Sequence, residues 1–122
     1  MHYIASLYSL QAKSNSFKDT VTRKCRYDYT MKRTATLLKQ GEMVYSPIVH
    51  CHQMSVEYSL PKQYKFWQTI DRHMIALSEG VIVLMMKGWE DSEGMGDEIK
   101  YAESLGKEVR YLECEDYIDP YD

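Results

Sequence analysis

Gly80-Val81-Ile82-Val83-Leu84-Met85-Met86 is the longest apolar run in the chain, and its reading decides the fold. It falls far short of the roughly 18 apolar residues that a membrane span needs. Val81 to Met86 is apolar on both faces rather than alternating, the pattern of a central strand in a parallel sheet covered on each side by helices. Immediately before it, Tyr64 to Ser78 carries Phe66, Trp67, Ile70, Met74 and Leu77 at helical spacing. Immediately after it come a polar loop, Lys87 to Gly94, a helix over Met95 to Leu105 stopped by Gly106, and a last strand over Glu108 to Leu112.

The same alternation extends toward the N-terminus. Tyr3 to Tyr8 is β-compatible and gives way to polar residues from Ser9 to Ser16. Phe17 to Gln40 contains no Pro or Gly, and Phe17, Val21, Cys25, Tyr29 (or Asp28), Lys32, Ala35 and Leu38 form an imperfect helical stripe before Gly41. Glu42 to Ser46 reads as a second strand ended by Pro47, and Ile48 to Pro61 as an irregular excursion, long for a loop. The order βαβαβαβ predicts an α/β protein: one Rossmann-like (flavodoxin-like) domain over residues 1–122, three layers α/β/α, with a four- to five-stranded parallel sheet. Residues 113–122 form an acidic tail, expected to reach across to a second subunit or to stay disordered.

At 122 residues there is room for one domain, and 44% hydrophobic with 27% charged residues is an ordinary soluble composition. The N-terminus shows no basic leader or apolar signal core, so a cytoplasmic location is expected, with no membrane partner. Net charge is -3 from 15 basic and 18 acidic side chains, which argues against a nucleic-acid polymer as partner. Basic residues crowd Lys13 to Lys39; most are expected on a solvated helix face. Cys25, Cys51 and Cys114 are too few and too far apart for a disulfide framework and read as free core thiols.

In such sheets ligands bind at the carboxyl ends of the strands. Three segments qualify: Leu7 to Ser16, Ser46 to Pro61 and Lys87 to Gly96. The third contains Ser92-Glu93-Gly94-Met95-Gly96-Asp97-Glu98, where Gly94 and Gly96 let backbone approach a ligand and Glu98 falls in the first turn of the helix that follows. His50-Cys51-His52 has two imidazoles two residues apart. With Asp71 they could ligate zinc, but without a third ligand nearby in sequence the pair reads as a loop contacting backbone or substrate, so no metal is expected.

These segments together resemble the nucleoside 2-deoxyribosyltransferase family and its 2'-deoxynucleoside 5'-monophosphate N-glycosidase relatives. The likeness spans nearly the whole chain: Tyr3-Ile4-Ala5-Ser6-Leu7-Tyr8-Ser9, the helix of Asp71, the strand Val81 to Leu84, Ser92-x-Gly94-x-Gly96-x-Glu98, Ala102 and Gly106-Lys107-x-Val109. Ser6-Leu7 stands where relatives commonly have Gly-Pro. Small bacterial and phage members share Ser46-Pro47-Ile48-x-His50-x-His52 and Gly88-Trp89-Glu90-x-Ser92.

The resemblance implies that Glu98 attacks C1' of a deoxyribose while Asp71 assists the departing base, with no cofactor. Such chemistry needs one ionised carboxylate and one carboxyl of raised pKa; the amides of the Gly94-Met95-Gly96 turn are expected to keep Glu98 ionised. Ser92 stands where phosphate-binding relatives have a serine, with Asp91 and Glu93 beside it and Lys13, Lys18 or Arg23 as offsetting cations. Tyr8 and Ser9 belong to the ligand loop, His50 or His52 touches base or sugar, and Trp89 walls the base, whereas Trp67 belongs to the core. The resemblance also implies a homo-oligomer, most simply a dimer. The alternative is a non-catalytic nucleotide-binding or sequestering module on the same scaffold.

Overall fold

The computed structural model describes residues 1–10 and 17–122. Four parallel strands, β1 (His2–Ala5), β2 (Val44–Tyr45), β3 (Gly80–Met85) and β4 (Glu108–Glu113), form one sheet in the order β2-β1-β3-β4. The helices are α1 (Phe17–Lys39), α2 (Pro47–Tyr58), α3 (Tyr64–Leu77) and α4 (Glu93–Ser104). This is the single-domain Rossmann-like α/β fold. β3 is its centre, pairing from Gly80 to Val83 with His2 to Ala5 and from Gly80 to Met85 with Glu108 to Glu113. Val81, Ile82, Val83 and Leu84 are wholly buried, as a strand covered on both faces requires.

Right-handed crossovers place α1 on one face of the sheet and α3 with α4 on the other; accordingly α3 packs on α4 and α1 on α2. The chain runs from β1 to β2 in one direction and returns past β1 to β3. The order therefore reverses at β1 and β3, and the crevice beyond their carboxyl ends is the ligand position of this architecture.

Three elements differ from the sequence reading. Ile48 to Pro61 is not an excursion: most of it is α2, opened by Pro47 in its first turn and by Ser46, whose hydroxyl accepts the Val49 amide at 3.1 Å. α1 has the expected length but turns a different face inward. Its buried residues are Asp19, Thr22, Arg23, Arg26, Tyr29, Thr30, Thr34 and Leu37, whereas Phe17 and Leu38 are exposed. A hydrophobic stripe cannot reveal a buried face that is mostly polar. It also follows that Arg23 and Arg26 are not on a solvated face.

The acidic tail folds back on its own chain. Asp119 takes a two-pronged ion pair from Arg26, at 3.0 Å from Nε and 2.7 Å from Nη2. Tyr117 packs on Tyr29 with ring centroids 4.9 Å apart, and the Tyr29 hydroxyl donates to Asp116 at 2.5 Å. Tyr117 and Cys114 thereby join the core. Among the described residues no helix is long and apolar enough to cross a membrane.

Candidate active site

A cavity of about 1000 Å³ opens beyond the carboxyl ends of β1, β2 and β3. Its floor comes from Ser6 to Leu10, and its walls from α1 through Arg23 and Arg26, from α2 through Ile48, Cys51, His52 and Ser55, from α3 through Tyr64, Trp67 and Asp71, and from Gly88, Asp91 to Met95 and Glu98. The α2 residues recur at helical spacing, so α2 presents one face to the cavity. A second, smaller hollow of about 450 Å³ lies by Met85, Lys87 and Glu113 to Ile118, remote from the carboxyl residues singled out in the sequence.

Asp71, in the middle of α3, and Glu98, in α4, line the cavity together, and each is only 6% exposed. Their carboxyl groups meet within hydrogen-bonding range. Burial raises both, and mutual repulsion adds to Glu98: Asp71 is pushed up to about 6, and Glu98 stands well above the usual carboxylate range. Two such groups share a proton over a span of pH, and the titration belongs to the pair.

This corrects the expectation that turn amides hold Glu98 ionised. α4 begins at Glu93 rather than Met95, so Glu98 sits in its second turn, beyond the free amides. Ser92 uses those amides itself: its hydroxyl accepts the Met95 N–H at 3.2 Å and its carbonyl the Gly96 N–H at 3.0 Å. The donor to Glu98 is instead the Tyr3 hydroxyl, from the face of β1 that α3 and α4 cover. Burial first, and then Glu98, raises the Tyr3 phenol far above its ordinary value, so it stays protonated and donates. The sequence placed Tyr3 in the first strand but gave it no role; its only further signal was a phenol hydroxyl beside Ile4 and Ala5.

Arg72 reaches Asp97 at 2.7 Å, where Tyr64 Oη also donates at 2.9 Å, clamping α3 to α4 behind the two carboxyls. Gly94 lines the cavity, and a Cβ there would come within 3.1 Å of the Tyr64 ring; the glycine lets α3 and α4 close on each other. Tyr8 and His52 form a second pair, 2.6 Å from Oη to Nδ1, with the His52 ring stacked on Tyr27 at 4.2 Å. Burial, assisted by Lys24, lowers the His52 pKa and favours the neutral ring, which shares one hydrogen bond with the Tyr8 hydroxyl.

Of the other predicted site residues, Ser9 and Ser92 line the cavity, while Gly96, His50 and Trp89 do not. Gly96 faces open space, His50 is exposed with its ring 5.9 Å from Tyr45, and Trp89 packs on the core beside Tyr111. Trp67, expected in the core, lines the cavity and donates its indole N–H to the Pro61 carbonyl at 2.8 Å. Cys51 lines it too, its thiol raised by burial. Lys18 is exposed, 5.3 Å from the Tyr121 ring, and Lys13 lies outside the described residues. Among the described residues no three His, Cys, Asp or Glu side chains converge as metal ligands.

The chain is a Rossmann-like α/β domain with two buried carboxyls together at the β1/β3 crevice. The chain belongs to the family described as Domain of unknown function (DUF1937), whose pattern matches residues 1–114. No curated protein matches it.

Proposed function

We propose that the protein hydrolyses or transfers at the N-glycosidic bond of 2'-deoxynucleoside 5'-monophosphates, as a member of the nucleoside 2-deoxyribosyltransferase group. The observation that carries the reading is the Asp71–Glu98 carboxyl pair, buried together in the crevice with the Tyr3 hydroxyl on Glu98.

With the pair's single proton on Asp71, Glu98 is the anion and Tyr3 holds it in place. A Glu98 oxygen bonds to C1' as the C1'–N bond breaks, and the departing base takes the electron pair and the Asp71 proton. Asp71, now a carboxylate, removes a proton from water, whose oxygen displaces Glu98 from C1' and frees the sugar; a second base attacking in place of water gives transfer. No metal or organic cofactor enters. Trp67, Tyr64 and His52 offer flat surfaces for a base.

The reading extends to a cytoplasmic protein that acts on small molecules rather than on nucleic-acid polymers or membranes. It also extends to a homo-oligomer, supported by Phe66, Ile70 and Leu77 standing exposed along α3. Incubation with each of the four deoxynucleoside monophosphates, followed by chromatography for free base, tests the activity. One observation favours a second reading. Glu98 is buried, which pushes its carboxyl well above the usual range, and a protonated Glu98 would donate a hydrogen bond to a ligand rather than attack it, as in a nucleotide-binding module. A tight complex with intact nucleotide and no base release would select that alternative.

A further inference from the structure

Two arginines of α1 face the cavity one helical turn apart, and they are not equivalent. Arg26 is engaged throughout: Nε and Nη2 hold Asp119, and Nη1 donates to the carbonyls of Ser9 at 3.0 Å and Tyr8 at 3.3 Å. Arg23 is 7% exposed, and its Nε has no hydrogen-bond partner among the described residues. A buried guanidinium N–H left unpaired is costly, and the cost falls when a ligand accepts from it. Ser6, also 7% exposed and lining the same cavity, has a hydroxyl in the same condition.

The lining from α3 and the start of α4 is acidic: Glu93 borders the cavity next to Ser92, alongside Glu98 and Asp71. An anionic group placed at Ser92 would face carboxylates, whereas at Arg23 it would meet a cation poised to give a charge-assisted bond. Resting on the deoxynucleotide reading for its ligand class, we propose that Arg23, with the Ser6 hydroxyl, seats the phosphate monoester of the ligand on the α1 side of the cavity. Ser92 then serves as the cap of α4 rather than as the phosphate ligand.

Binding to the full chain tests this without recourse to turnover, using inorganic phosphate, 2-deoxyribose 5-phosphate, a deoxynucleoside monophosphate and the matching deoxynucleoside. The monophosphate should bind about ten- to a hundredfold tighter than the nucleoside, the worth of one charge-assisted hydrogen bond. Arg23→Gln should erase that margin while leaving nucleoside binding within about twofold, and Ser92→Ala should preserve it. In the wild type, titration with inorganic phosphate should shift the Arg23 Nε–H resonance, a readout that stands even if Arg23→Gln fails to fold. An unmoved resonance, or a margin lost with Ser92→Ala and kept with Arg23→Gln, overturns the proposal. If phosphate and deoxyribose 5-phosphate bind at Arg23 but no base is ever released, the seat stands and the glycosidase reading falls.

Discussion

Glu98 is buried where its charge is unwelcome, and this has consequences for stability as well as for chemistry. Below about pH 4 folded and unfolded chains both hold its proton, and the site costs nothing. Above that, the unfolded chain releases a proton that the folded Asp71–Glu98 pair retains, so stability falls as pH rises. Glu98→Gln keeps the shape and the Tyr3 contact without a titrating group. It should raise the melting temperature at pH 7 to 8, with a gain that grows by up to about 1.4 kcal/mol per pH unit above the ordinary glutamate value and vanishes near pH 4. A variant equally stable with wild type at pH 8 would contradict the burial-driven shift. The same substitution should cut base release more than a hundredfold. On the acid side, kcat/KM should fall as pH drops below about 6, where the Asp71–Glu98 pair takes up its second proton and no carboxylate remains to attack. Tyr3→Phe removes the donor that favours ionised Glu98, so it should move that acid limb to higher pH and lower the plateau about tenfold, with the fold intact. Glu98 and Asp71 were legible in the sequence through their resemblance to a known pattern. Tyr3 was given no role, and Arg23 stood only as one of three candidate cations with Lys13 and Lys18, because a strand tyrosine and a basic helix residue have commonplace uses and only packing shows which atoms lack partners.

The elements were legible to the extent that their periodicity was apolar. β3 could be placed within a residue or two because its buried faces are built of Val, Ile, Leu and Met, and α3 by an apolar stripe of which Phe66, Ile70 and Leu77 stand exposed, its buried residues being Asp71 and Ile75. α2 was missed because Pro47 reads as a break, and Ile48, Cys51, His52 and Ser55 make a mixed stripe that faces a cavity rather than a core. α1 was found but rotated, since its inward face carries Thr, Arg and Asp. That polar face is what connects the tail to the site: Asp119 holds Arg26, and Arg26 holds the Tyr8 and Ser9 carbonyls at the cavity floor. Asp119→Ala strands a buried guanidinium, with the arginine side chain only 7% exposed. It should cost about 3 kcal/mol in urea denaturation and raise KM more than it lowers kcat, because the loop at the floor loses its anchor. Unchanged KM with lowered stability would make the tail a structural strap alone.

At the scale of the molecule, the tail's attachment to its own α1 removes it as the element that reaches a neighbouring subunit, so any self-association must use another surface. The solvent side of α3 is suited to this. Phe66, Ile70 and Leu77 recur at helical spacing and are about half exposed or more, while the opposite side of the same helix supplies Asp71 to the site and Ile75 to the core. Water-facing apolar side chains in a row gain by meeting their own copy across a two-fold axis, since one patch then covers the other. Light scattering at micromolar concentration should give about twice the 14.4 kDa chain mass, and Ile70→Glu should return the protein to monomer by placing two carboxylates at that contact. The substitution leaves Asp71 and Glu98 untouched, so activity measured on the monomer separates two roles of assembly. Retained turnover means each crevice is complete within one chain; lost turnover with an intact fold means the neighbour contributes to the cavity. A wild-type monomer at these concentrations would leave the exposed row on α3 without a self-association role.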